Sequence, residues 1–278
     1  MTEYLSSYFN LNSYKSVDLL DELPLWSAPF GLKLLDKIKF RKGITALDIG
    51  FGTGFPLTEL AMRLGDTCKV IGIDPLKTAI KRTNKKIQFY GIKNIEIIEG
   101  YAENIPINDI SVDLIVSNNG LNNVNDLDKA LSECSRIIKS KGKFIQTINL
   151  DSTMIEFYEI FGNILSELNM ISEFEKMKKH IYKKRKPLDE YLDRIEKQGF
   201  SVKEVDKDKF EYKFTDGTAM LNHYFIRLAF LDDWKKIIPV EKHSQIFKEV
   251  ELRMNNRSQT DGLFKLSVPF VVIDAERN

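Results

Sequence analysis

Cysteine is scarce in this chain: Cys68 and Cys134 are the only two among 278 residues, which excludes a disulfide framework and a cysteine-based metal site. Histidine is nearly as rare. His180, His223 and His243 stand far apart, so no short-spaced metal motif forms and no metal is expected. An excess of charge is missing too. Lys plus Arg number 41 against 40 for Asp plus Glu, a formal net charge of +1, so the composition gives no general argument for a polyanionic partner, and nucleic acid is not the expected ligand. No apolar run approaches the length of a membrane span, and the N-terminus lacks a basic region followed by an apolar core. There is no internal repeat and no low-complexity linker. These absences predict a soluble, cytoplasmic monomer or homodimer without a membrane partner.

What is present is enough apolar sequence, 43% of residues with 29% charged, to build one α/β core with insertions or an attached cap. From Ile44 to Thr147 short apolar runs alternate with segments of helical period. Strands are expected at Thr45–Ile49, Lys69–Ile73, Ile95–Ile98, Val112–Ser117 and Lys143–Thr147. Each of the first four is followed by enough chain to cross over, so the strands should be parallel. Pro56 and Pro75 sit where helices start, and Gly91 and the Ser140–Gly142 turn where they stop. The helix at 126–139 carries Leu127, Leu131, Cys134 and Ile138 on one stripe.

Beyond Thr147 the alternation breaks. A long helical stretch is expected over Thr153–Lys179. Pro187 then opens a helix that Gly199 ends, and Phe200–Phe214 reads as an extended ribbon. Gly217 to about Met254 is a second helical excursion, and Phe264–Ile273 is a final extended segment. Pro269 cannot donate a ladder hydrogen bond, which suits a strand start or a bulge. Before the first strand, Leu23-Pro-Leu-Trp-Ser-Ala-Pro-Phe30 has the composition of a fixed wall, with Trp26 either in the core or at the mouth of a pocket. The expected organisation is a helical and aromatic cap (1–43), a nucleoside-binding core (44–150), a helical lid insertion (151–186), a return to the core (187–214), a second lid insertion (215–260) and a last core strand with the C-terminus (261–278).

The chemistry concentrates at Leu47-Asp-Ile-Gly50-Phe-Gly52-Thr-Gly54, where glycines at the end of the first strand let the backbone approach a ligand. Asp74, at the end of the second strand, suits the two hydroxyls of a ribose or the start of the next helix. A dinucleotide loop wants a third glycine where this chain has Phe55. Asp48 carries negative charge two residues before the first glycine, which disfavours a pyrophosphate and attracts an ammonium or sulfonium. The balance favours a cationic adenosine derivative over NAD.

The run Asp48-Ile-Gly-Phe-Gly-Thr-Gly54 resembles the first motif of the class I S-adenosylmethionine-dependent methyltransferases, with Phe51 where a small residue or Cys is common. Glu99-Gly-Tyr-Ala-Glu-Asn-Ile-Pro106 is similar to that family's adenine-contacting loop, although Tyr101 replaces a usual acidic residue. Ser111–Val124 resembles its fourth strand and following loop. The resemblance implies a Rossmann-like fold: a mainly parallel seven-stranded sheet with a final antiparallel strand and helical lid insertions. It implies S-adenosylmethionine as cofactor, with S-adenosylhomocysteine as product. In that reading Gly50, Phe51, Gly52 and Gly54 form the floor under the methionine part and Asp48 orients its amino end. Asp74 and Pro75 lie at the ribose, Tyr101, Ala102 and Glu103 at the adenine, Asn118 at the methionine backbone and Leu121 beside the adenosine.

The activity so implied is methyl transfer to an O, N or C nucleophile of a small molecule, achieved mainly by proximity and orientation. His223 and Tyr224, in the second lid, are the candidate base or hydrogen-bonding groups for the acceptor; ordinary packing is the other reading. Phe157, Tyr158, Phe161, Tyr224, Phe225, Phe230 and Trp234 offer either acceptor walls or helix packing. The alternatives are an RNA or protein methyltransferase using the basic tract Lys176–Lys186, a non-catalytic cofactor-binding regulator, or an NAD-dependent oxidoreductase.

Overall fold

The computed structural model describes Leu5, residues 10–21 and residues 25–278, with the backbone alone for 19–21. Leu23 and Pro24 of the expected aromatic wall lie outside the described residues. Two compact units are present: a sheet unit (12–149, 187–208 and 270–278) and a helical unit centred on 150–186 and 209–269.

In the sheet unit, helices α1 (Tyr14–Asp21) and α2 (Ser27–Asp36) precede an alternating series. The series is β1 (Thr45–Ile49), α3 (Leu57–Leu64), β2 (Lys69–Asp74), α4 (Lys77–Tyr90), β3 (Ile95–Glu99), β4 (Val112–Asn118), α5 (Leu127–Ile137) and β5 (Ile138–Asn149). Strands β1, β2 and β4 are nearly continuous runs of Val, Ile, Leu and Ala that are buried, as expected of parallel strands covered on both faces. β1 pairs in parallel with β2 and β4, β2 with β3, and β4 with β5. Helix α8 (Leu188–Lys197), numbered after α6 (Ile155–Glu167) and α7 (Ile171–Lys184), leads through Gly199 into β6 (Phe200–Phe214). The last strand, β7 (Phe264–Arg277), runs antiparallel to β5, and the seven-stranded order is β3-β2-β1-β4-β5-β7-β6. This is the sheet the motifs implied.

Several boundaries differ from the sequence expectation. β5 begins at Ile138 instead of Lys143, because the expected turn is a kink within the strand. Lys141 has a positive φ of 62°, and the β4–β5 register shifts between Val112 and Leu114. A Cβ on Gly142 would fall 2.5 Å from the Ile138 side chain, so only glycine fits there. Pro269 lies inside β7, one residue beyond the last pair with β5 at Asn149–Phe270, where that neighbour no longer asks for its N–H.

Two polar networks fix the covering layers. Tyr191 of α8 is buried and donates its hydroxyl to Gln146 Oε1 of β5 at 2.8 Å. Arg136 of α5 holds Glu133 and Asp109 and donates to the carbonyls of Ile107 (2.9 Å) and Ile105 (2.8 Å), pinning the loop after β3.

In the helical unit, the single long helix expected over Thr153–Lys179 is two, α6 and α7, broken where Asn169 adopts a positive φ of 54°; Asn tolerates this conformation better than most residues. The second excursion is α9 (Gly217–Asn222), α10 (Tyr224–Ile226), one wide π turn over Arg227–Leu231, α11 (Asp232–Lys235) and α12 (His243–Asp261). Phe157 stacks on Trp234 with centroids 3.8 Å apart, and Trp234 Nε1 donates to the Tyr158 hydroxyl at 3.1 Å. Phe157, Tyr158, Phe161, Phe225 and Trp234 are all buried, so these candidate wall residues form this unit's core, whereas Tyr224 and Phe230 are half-buried. Among the described residues, no helix is long and apolar enough to cross a membrane.

Tyr191→Phe removes the donor to Gln146 while keeping the ring. Gln146 Nε2 is already without a partner among the described residues, so the variant leaves a buried amide wholly unsatisfied and should lower stability by about 1–3 kcal/mol in urea unfolding.

Candidate functional site

The registers of β1 with its two neighbours bring the motif residues level. Ile49 pairs with Ile73, and Asp48 with Val116, so Gly50, Asp74 and Asn118 all follow at the carboxyl edge of adjacent strands. Because β2 and β4 flank β1 on opposite sides, this is the point where strand order reverses, the usual ligand crevice of an open α/β sheet.

The loop after β1 is shaped by contact as well as by dihedrals. Gly50 has φ 74°, and a Cβ there would meet Gly120 Cα at 2.7 Å; one on Gly120 would fall 2.2 Å from the Ile49 carbonyl. The two backbones therefore touch only because both are glycine. Ser117, buried between them, donates to Ile49 O at 3.0 Å and accepts from Leu121 N at 3.2 Å. Gly52 differs: its φ is 53°, and no atom lies within 4 Å of where a Cβ would be, so this backbone borders open space. Thr83 Oγ1 donates to Gly52 O at 3.0 Å, and Thr58 Oγ1 to Gly54 O at 2.8 Å.

Asp48 is fully buried, and neither carboxylate oxygen has a hydrogen-bond partner among the described residues. Burial, and next the charge of Asp74, push its carboxyl from 3.8 up to about 8; the Leu57 amide opposes this without reaching hydrogen-bond geometry. Asp74 is raised by burial and eased back by two amides it accepts, Leu76 N at 2.8 Å and Gly52 N at 2.9 Å. It thus braces the turn before α4 and ties that turn to the glycine loop, with lone pairs left over for a ligand hydroxyl.

Other expected site residues take varied places. The Phe51 ring turns into the core, where a Cβ on Gly72 would meet it at 2.8 Å, so only its backbone remains for the loop. Glu103 accepts from the Asn125 and Asp126 amides at 2.7 and 3.2 Å, and its carboxylate is used on the approach to α5. Ala102 and Leu121 are buried, Pro75 is exposed, and Tyr101 is 60% exposed. Asn118 bridges elements, donating to Ser27 O at 3.0 Å and accepting from Thr147 Oγ1 at 2.9 Å. Asn122 bonds Asn119 and Asn149, each at 3.0 Å, so much of this asparagine run serves the loop itself.

Sequence reasoning missed Gly31, Thr83, Ser117 and Gly120. Gly31 faces Phe55, whose ring would lie 2.2 Å from an added Cβ. Each of these requirements comes from a partner distant in sequence; the only local trace is Gly120 closing the Ser-Asn-Asn-Gly run.

In the helical unit, His223 lies between α9 and α10, with its ring centroid 5.4 Å from Phe214 and 6.4 Å from Tyr212. Its Nδ1 is buried without a partner among the described residues, and burial lowers its proton affinity, so the ring is neutral near pH 7. Burial raises the neighbouring Tyr224 hydroxyl, which keeps it protonated. An open cleft of about 460 Å³ lined by Cys68, Lys69, Lys93 and Ile95 sits at the amino ends of β2 and β3, the opposite edge of the sheet from Gly50 and Asp74.

Asp48 also gives the ligand-free chain a pH signature. Its folded carboxyl binds the proton more tightly than the unfolded one, so the associated stability is complete below about pH 4 and is lost as pH rises through about 8. Urea unfolding should show stability falling over that window by up to ~1.4 kcal/mol per pH unit. Asp48→Asn should remove most of that slope, and equal slopes in the two proteins would assign the titration to another group.

A family model described as "Methyltransferase domain" matches residues 40–218. Demethylmenaquinone methyltransferase of Lactobacillus johnsonii is 29% identical over 176 residues, 60% of this chain and 72% of that protein. The ubiquinone/menaquinone biosynthesis C-methyltransferase of Escherichia coli is 35% identical over 106 residues, 38% of this chain and 42% of that one, so this chain spans less than half its length. Among solved structures, the YcgJ protein from Bacillus subtilis superposes with a TM-score of 0.59 at 18% identity, covering 90% of this chain and 97% of that chain, a likeness of fold. With the family match covering most of its length, the chain belongs to the methyltransferase-domain family and is a class I S-adenosylmethionine-dependent methyltransferase.

Proposed function

We propose that the carboxyl edge of the sheet holds S-adenosylmethionine and that the acceptor is a small molecule carrying an O, N or C nucleophile, a ring carbon above all. The observation that carries the cofactor assignment is Asp48, a buried carboxylate with no partner among the described residues. A cationic amino group supplies the charge that this site lacks. The open backbone at Gly52 offers close approach, and the remaining lone pairs of Asp74 suit ribose hydroxyls. Buried Ala102 and Leu121 and exposed Tyr101 suit the adenosine. Asn118 contributes less freely than its position suggested, since both ends of its amide are engaged.

When bound, the cofactor supplies a sulfonium methyl with its own leaving group. The chain then has to exclude water and hold the nucleophile in line. His223, neutral and with Nδ1 unengaged, is suited to take a proton from a hydroxyl that activates the acceptor. The names of the two sequence relatives, a demethylmenaquinone methyltransferase and a ubiquinone/menaquinone biosynthesis C-methyltransferase, support a small-molecule acceptor, and the second favours carbon among the three nucleophiles. The macromolecular alternative is weakened at the basic tract, where Lys176, Lys178 and Lys184 are paired with Glu173, Glu175 and Asp233 at 3.4, 2.9 and 3.6 Å.

Two experiments test this reading. Calorimetric titration with S-adenosylhomocysteine should give an affinity that rises with pH toward about 8, by at most ~10-fold per unit, because Asp48 must ionise to receive the ammonium; a flat profile would remove Asp48 from the site. With a demethylated quinol as acceptor, His223→Gln should reduce kcat by ~100-fold or more while leaving the cofactor KM unchanged, and unaltered turnover across pH would reject the base.

A further inference from the structure

The helical unit contains a second buried ionisable side chain without a partner among the described residues, basic where Asp48 is acidic. Arg185 follows the last turn of α7 and is 8% exposed. Its Nη1 is buried and reaches no acceptor, and no carboxylate pairs with it among the described residues. The neighbouring cations of the tract are spent elsewhere: Lys184 on Asp233, and Lys186 over the Tyr182 ring at 4.5 Å. The guanidinium does not use Nη1 on the carbonyls at the end of α7 either, where an arginine could otherwise be satisfied.

A buried cation without a counter-charge is costly, and arginine is the side chain suited to carry it toward a planar or tetrahedral oxyanion, because its donors form a rigid fork. The local field favours an anion as well. His180 is held neutral chiefly by burial, and Lys184, Arg185 and Lys236 depress it further against the single opposing carboxylate of Asp233.

We infer that Arg185 is the centre of an oxyanion site in the helical unit, which binds the carboxylate or phosphoryl group of a small molecule through the otherwise unengaged edge of its guanidinium. The site uses none of the cofactor residues proposed above, and it distinguishes one buried arginine from the half-buried and exposed lysines of its tract.

The test uses the full chain without cofactor. Thermal unfolding is followed in sodium phosphate, in sodium benzoate and in sodium chloride at matched ionic strength. Phosphate or benzoate should raise the midpoint saturably over chloride, and which of the two does so identifies phosphoryl or carboxylate as the group recognised. Arg185→Gln should abolish the shift, and Arg185→Lys, which keeps the charge but not the fork, should diminish it. Lys179→Ser with Lys183→Ser, both exposed, should leave the shift intact. S-adenosylhomocysteine titration of Arg185→Gln should match wild type, which shows that the variant is folded and keeps failure of the cofactor reading distinct from failure of this one. The inference is overturned if neither anion exceeds chloride, if Arg185→Lys retains the full shift, if the double lysine variant alone loses it, as a polyanion surface would require, or if Arg185→Gln loses the cofactor.

Discussion

A carboxylate removed from water and given no hydrogen bond is unstable as an anion, and Asp48 is in that position at the centre of the sheet. Its surroundings do not neutralise it. Asp74 adds a second negative charge nearby and is itself committed to the Gly52 and Leu76 amides. Below about pH 8 a proton meets that cost, and a cation beside the carboxylate can take the proton's place. That the same edge binds the backbone of β1 to that of β4 through two touching glycines means that the strain is held by rigid parts. Gly50 and Gly120 cannot separate without breaking the bonds that Ser117 makes to both sides.

From that constraint the division of labour among the site residues follows. Side chains that point into the sheet, such as Phe51 and Leu57 against Gly72, fix the loop from below. Thr58 and Thr83 hold its carbonyls from the following helices. The face of the proposed cofactor site is then left largely to backbone and to carboxylate, which would suit a compact, charged nucleoside better than a pyrophosphate.

The parallel core was legible because each of its signals is local. Apolar runs of strand length, prolines at helix starts and Gly91 at a helix end all act within a few residues of themselves. The glycine loop was legible for the same reason. What could not be read depends on distant partners. Ile138 enters a strand because β4 offers it a pairing edge, overriding the Ser-Lys-Gly turn signal. The resemblance put Glu103 at the adenine, and that two amides ahead of α5 bond its carboxylate was not visible in the sequence. The long helix expected over Thr153–Lys179 breaks at Asn169, a residue that favours this break but does not compel it. Arg185 was hidden in a tract where sequence shows only a density of positive charge, and burial separates it from its neighbours.

The Arg136 network has a kinetic meaning. One guanidinium, joined to Glu133 and Asp109 and to the carbonyls of Ile105 and Ile107, holds the segment beyond Ala102 in place before anything binds. Little conformational freedom is left there to surrender on association. In the cofactor site proposed above, recognition of the base would then fall to a surface already set, as docking to a fixed template rather than as ordering around the guest.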